Sequence, residues 1–237
     1  MEAASRTGNP VDIAKALELK GLALFHVGDF GQASETVNSA LDGVTEGEYL
    51  QVKPRLTWLL GRLAFVDREI DRSSQVLNDA LRLLQAGGEP EDLLGIEIEL
   101  LRVRAEIEDP APILERIHDL LLDGRRRGLP IVQGQAAVAI AEIALSHGLD
   151  LGPHREDILS ALQWAEQVGM VEFSWRLSYR LGQAAARAGD ARVAQTRFTH
   201  AQRLLRRVAD SLGPVHRRLF LSRPDIRDAI SEMTRAI

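Results

Sequence analysis

Apolar residues between Val11 and Val27 fall at Ile13, Ala16, Leu17, Leu19, Leu22, Ala23, Leu24 and Phe25, the spacing of a helical face and not of an alternating strand. Gly28-Asp29 interrupts this rhythm, and it resumes at once. A glycine can take the left-handed conformation that ends a helix, and the following aspartate can accept a hydrogen bond from the free amides of the next one. The pattern therefore predicts a helix over 11–27 and a second from about Phe30 to Asp42, the latter burying Ala33, Val37, Ala40 and Leu41. So short a turn requires the two to pack antiparallel, and Gly21, Ala33 and Ala40 leave room for close approach.

One helix pair cannot bury its own apolar face, and the pattern recurs. Forty residues after Gly21, Gly61 is followed by Ala64, Arg68-Glu69-Ile70, Ser73, Leu77 and Ala80-Leu81, at the offsets of Leu24, Gly28-Asp29-Phe30, Ala33, Val37 and Ala40-Leu41. Leu101 begins a third set through Glu108-Asp109-Pro110, Ile113 and Ile117. Gly182 begins another through Ala185, Gly189-Asp190, Ala194, Phe198 and Ala201. A weaker one, with Ala141, Ala144, Gly148, Ile158, Leu162 and Ala165, carries a short insertion around 149–154. The expectation is five helix–turn–helix repeats over 11–211, after a short polar segment at 1–10. Beyond Ala209, Gly213-Pro214 and Arg223-Pro224 break the pattern. Pro224 suits the first turn of a last helix with Ile226, Ala229, Ile230 and Met233 on one side. Residues 212–237 are read as a cap that shields the final apolar face.

The stretches LKGLALFHVGDFGQASETVNSAL and RLGQAAARAGDARVAQTRFTHAQ resemble the tetratricopeptide repeat (TPR), with its small step, its large residue three on, its Gly-Asp turn and its small residues on the second helix. The spacing of about forty, against the usual thirty-four, is similar to the long repeats of large bacterial regulators. The resemblance implies an all-α, right-handed superhelical solenoid in which the first helix of each pair lines a concave groove. Carried over position by position, it places Arg55, Trp58, Arg62, Phe65, Arg102, Arg176, Tyr179 and Arg187 in that groove, with Lys15, Glu18, Leu22, Phe25, His26, Glu106, Gln135, Val138, Glu142 and Gln183 beside them. Arginine interleaved with aromatics suits a peptide that carries acidic and apolar side chains. For Trp58 and Phe65 the alternative is packing between neighbouring repeats. The Lys/Asn set of chaperone-binding TPRs is not met, since Glu18 and Leu22 stand at the matching places.

Composition narrows the function without naming it. With 237 residues, 45% hydrophobic and 27% charged, the chain can bury a substantial core. A net charge of −5 gives no general attraction to nucleic acid or to an anionic membrane. Cysteine is absent, which excludes disulfides and thiolate metal sites. No signal-peptide pattern and no apolar run of membrane-spanning length is evident, so a cytoplasmic location is expected. Phosphate-loop, dinucleotide, HExxH and GxSxG motifs are missing. His147 and His154, with Asp150 and Asp157 nearby, lack the spacing of a rigid metal site. Glu99, Arg102 and Glu106 read as an ion-pair ladder on one helix, and GRRRG at 124–128 as a solvated loop between helices. The expected function is a non-catalytic scaffold that binds a protein or peptide, with no cofactor or metal. The alternative is a regulatory or sensor module of a larger bacterial signalling protein or transcription regulator, binding a small ligand or peptide signal. Nucleic acid is disfavoured because acidic residues interrupt the basic ones.

Overall fold

The structure, a computed structural model, describes residues 10–43, 52–85 and 88–236. All but Pro10 of the predicted polar segment lies outside them. The described residues form twelve α-helices and one short 3-10 turn, without strands. They are α1 (Pro10–Val27), α2 (Phe30–Asp42), α3 (Val52–Val66), α4 (Ile70–Leu84), α5 (Pro90–Arg104), α6 (Pro110–Arg127), α7 (Pro130–Ser146), the 3-10 turn Gly152–His154, α8 (Arg155–Val168), α9 (Val171–Arg187), α10 (Ala191–Ser211), α11 (Pro214–Ser222) and α12 (Pro224–Arg235). Packing divides the chain into two compact units, Met1–Glu106 and Ile107–Ile237. The third predicted repeat spans that boundary, so α5 and α6 are described with the unit each belongs to.

The turn chemistry read from the sequence is realised in atomic detail. At Gly28, with φ of 86°, the amide of Asp29 reaches the Leu24 carbonyl at 2.9 Å, and Asp29 Oδ1 accepts from the Gln32 amide at 3.2 Å. Gly189 and Asp190 repeat this, with Asp190 N to the Ala185 carbonyl at 2.9 Å and Val193 N to Asp190 Oδ1 at 3.0 Å. These bonds satisfy the orphan carbonyls of one helix and the orphan amides of the next within two residues. The second repeat makes the same turn without glycine: Arg68 sits at φ of 62° and Glu69 N reaches the Ala64 carbonyl.

Within the first unit α1 packs on α2, α3 on α4, and α4 on α5, while α3 also meets α1 and α2. The small anchors set how closely each pair approaches. A Cβ added at Gly21 would lie 2.9 Å from Val37, at Gly61 2.6 Å from Leu77, and at Gly182 in the second unit 2.6 Å from Phe198. In all three the partner lies sixteen residues further on, so one residue spacing fixes three helix pairs. Ala33, Val37, Leu56, Leu59 and Leu63 form one cluster of the first unit's core, and Leu77, Leu84, Ile96 and Val103 another.

In the second unit α7 is apolar almost all round, because α6, α8 and α9 enclose it. α9 packs on α10, and α11 and α12 close against α10. Ile226, Ala229 and Met233 of α12 join Phe198, Leu205 and Trp175 in one buried cluster. GRRRG departs from expectation. Gly124–Arg127 form the last turn of α6, and only Gly128, at φ of 67°, leaves it. The helix continues because Arg126 and Arg127 pair with Asp123 one turn back, and because cations favour a helix C-terminus. Among the described residues no helix is long and apolar enough to cross a membrane.

Candidate functional site

The eight predicted groove residues divide between the units. In the first, α1, α3 and α5 run parallel, and their side chains meet in rows. Arg55 donates from Nε to Asp92 Oδ2 at 2.7 Å. Seven residues along both helices, Arg62 Nε lies 3.8 Å from Glu99 Oε1. Both pairs have the same offset of thirty-seven residues, and α1 continues the rows at that offset. Glu18 lies within electrostatic reach of Arg55, and Phe25 lies under the Arg62 guanidinium at 4.3 Å from the ring centre. Arg102 donates to Glu99 at 2.8 Å and stacks over Phe65 at 5.5 Å. Burial raises the Glu18 carboxyl above its usual range; Arg55 opposes that shift and Asp92 adds to it. The hydrogen bond that Arg55 donates to Asp92 raises its guanidinium above the ordinary value.

These arginines, expected to be available to a partner, are thus engaged with the protein's own carboxylates and rings. The expected ladder along α5 is half realised: Arg102 meets Glu99, while Glu106 faces Arg68 at 3.6 Å. Trp58 is half-buried and packs against the Leu77–Ile96 cluster, with its indole N–H enclosed and unpaired among the described residues. Phe65 is half-buried against the same cluster.

The second unit repeats the chemistry with a different contributor. Arg176 on α9 donates to Glu142 on α7 at 2.8 Å, to Glu172 on its own helix at 2.8 Å and to Asp225 on α12 at 2.6 Å. Arg223, only 4% exposed, donates to Asp225 at 2.8 Å and to Glu172 at 3.3 Å. Seven residues further along both helices, Gln183 and the Tyr179 hydroxyl donate to Glu232. So α12 lies parallel to α9, with Asp225 and Glu232 facing Arg176 and Gln183 as Asp92 and Glu99 face Arg55 and Arg62.

Burial opposes the charge on Arg176, but Glu172, Glu142 and Asp225 outweigh it and hold the guanidinium firmly protonated. Burial likewise pushes Asp225 up, and Arg176 and Arg223 overcome it, leaving the carboxyl below its usual range. Burial and Glu232 raise the Tyr179 phenol, keeping it protonated as a donor. Arg187 is exposed at the end of α9.

Sequence reasoning missed Asp225 and Glu232. Their signal was two acids seven apart, flanking the apolar stripe Ile226, Ala229 and Met233. It also missed a cluster where α6 meets α8. Asp157 accepts from Arg125 at 2.7 Å and lies 3.0 Å from His118 Nε2, and the His118 and His154 rings stand 5.1 Å apart. Burial, and then the neighbouring His118, hold His154 below its usual value. His147 instead meets Ser146 and the Ile143 carbonyl. Among the described residues no group of three or more His, Cys, Asp or Glu is arranged to hold a metal.

No model of a known protein family matches the chain. No curated protein matches it either.

Proposed function

We propose that the chain is a non-catalytic interaction module of the TPR-like solenoid type, whose first-helix face takes a helical peptide bearing carboxylates and apolar residues. One observation carries the reading. The chain lays such a helix on its own α9: α12 brings Asp225 and Glu232 to Arg176, Tyr179 and Gln183 while Ile226, Ala229 and Met233 go into the core. In the first unit Arg62, Arg102, Trp58 and Phe65 offer the same arginine and aromatic chemistry. Arg62 and Arg102 hold Glu99 with side chains still 23% exposed, so an incoming carboxylate can share a guanidinium fork without displacing the partner already there. The aromatic rings supply the desolvated contact that dominates peptide affinity.

A labelled peptide with the sequence of α12, titrated against the full chain, tests this. Saturable binding is expected, and Trp58→Ala is expected to weaken it by about 1–2 kcal/mol, the size of an interface hot spot. Binding that Trp58→Ala leaves untouched, in a chain that still melts cooperatively, removes the first unit's face as the site. If the mutant loses its cooperative melt instead, Trp58 is a packing residue, and Arg102→Gln becomes the deciding variant.

A further inference from the structure

The net charge of −5 conceals a strong segregation. Between Ala191 and Ser222 the sequence holds seven arginines and a single aspartate, so this stretch is net +6 with its histidines neutral, inside an acidic chain. The structure turns that segment into a surface. The apolar stripe of α10, through Ala194, Phe198, Ala201, Leu205 and Ala209, is buried, which sends Arg192, Arg203, Arg206 and Arg207 to the opposite side, all exposed. Among the described residues none of these four has a carboxylate partner. The lone acid, Asp210, is tied to Arg217 on α11 at 3.0 Å, and Arg218 beside it is exposed. On the inner edge His200 faces Glu166 of α8 at 3.4 Å. This contrasts with Arg55, Arg62, Arg102 and Arg176, which meet internal acids.

We propose that the outer face of α10, continued by α11, binds the phosphodiester backbone of double-stranded nucleic acid. From Arg192 to Arg207 the helix advances about 22 Å, comparable with six or so base steps of about 3.4 Å. Guanidinium forks suit phosphate oxygens, and neutralising phosphates releases counterions, which drives such binding without base contacts. Other polyanions fit less well. The large aromatics of the segment, Phe198 and Phe220, are both buried, so no Phe, Tyr or Trp ring is available there to stack on single-stranded bases or to anchor a protein partner. An interfacial membrane helix needs its apolar face for lipid, and that of α10 is spent on the core. The proposal is independent of the peptide site on the first helices.

Fluorescence anisotropy of the full chain with a labelled 20-base-pair duplex of arbitrary sequence, from 50 to 200 mM salt, tests it. Binding is expected to be saturable at 50 mM salt and to weaken with a log–log slope of about −4, since each neutralised phosphate contributes about −0.9. The triple variant Arg203→Gln, Arg206→Gln, Arg207→Gln removes exposed side chains only. Its melting temperature should stay unchanged while its slope falls by about 2.7. Lys20→Gln with Lys53→Gln, exposed on the first unit, should change neither. Absence of saturable binding at 50 mM salt overturns the proposal, as does an unchanged slope in the triple variant. Tighter binding to phosphatidylserine vesicles or to polyglutamate than to the duplex assigns the surface to a membrane or to an acidic protein, and overturns it equally.

Discussion

Arg176 and Asp225, forty-nine residues apart, meet at 2.6 Å, and the same guanidinium also holds Glu142 and Glu172. Replacing Arg176 by Ala leaves three carboxylates around a vacancy, with Arg223 still holding Glu172 and Asp225 and Arg180 3.8 Å from Glu142. Removing one partner of a buried ion pair costs about 3–5 kcal/mol. With Arg223 retained, a loss of about 3 kcal/mol is expected in denaturant unfolding, reported by the fluorescence of Trp175, whose indole donates to Glu172. Because Asp225 is held below its usual range, its contribution is present above the ordinary carboxylate value and disappears as pH falls from there through the depressed value. Unfolding at pH 7 and pH 3 in both proteins should therefore show the mutant's deficit shrinking in acid.

Arg68 occupies a left-handed conformation that its counterparts Gly28 and Gly189 adopt without steric cost. Arg68→Gly relieves roughly 1 kcal/mol of strain and loses an exposed pair with Glu106 of little value. Part of the gain is offset by the greater freedom of glycine in the unfolded chain. A net stabilisation of up to about 0.5–1 kcal/mol should appear in thermal melts. Destabilisation would mean that the Glu106 contact outweighs the backbone.

The close approach at Gly61 and Gly182 makes the opposite forecast for a methyl group. An added Cβ would sit 2.6 Å from Leu77 or Phe198, and overpacking of this kind costs about 1–3 kcal/mol, more than alanine's helix preference of about 1 kcal/mol returns. Gly182→Ala should destabilise more than Gly31→Ala, since nothing lies within 4 Å of a Cβ at position 31. Equal effects in denaturant titrations would count against a close-packed α9–α10 pair.

His154 stands beside His118 and near Asp157, which Arg125 also holds. With its folded value depressed, the unfolded chain binds the proton better. The stability at stake is complete above the ordinary histidine value of about 6.5 and is lost as pH falls through the depressed value. Melting temperatures from pH 7.5 to 5.5 should drop more steeply in the wild type than in His154→Gln. A parallel drop would assign the pH dependence to other histidines.

Helix positions, the Gly-Asp turns and the small anchors were legible because each rests on local chemistry: Gly28, Asp29 and Gly21 declare themselves within one or two turns. The fate of the arginines was not. Arg55, Arg62 and Arg176 carry the same letter as Arg203 and Arg206, yet the first three face acids thirty-four to forty-nine residues away and the last two face none among the described residues. Only the stacking of helices decides which charges cancel. The tail's dual part was hidden for the same reason: Pro224 and Ile226 announce an amphipathic helix, but what Asp225 meets depends on where that helix lands.

The thirty-seven-residue rows of the first unit also have a consequence for alignment. Moving α5 along α3 by three residues in one direction would set Arg62 against Arg102, and by four residues Arg55 against Ile96. In the opposite direction, three residues would bring Ile96 to Arg62 and four would bring Gly95. Apolar contacts between such helices tolerate sliding, because leucine on leucine differs little from leucine on isoleucine. The charges do not: they work as a key cut for one position, and they would preserve the pitch of the stack even where the surrounding core has been softened by mutation.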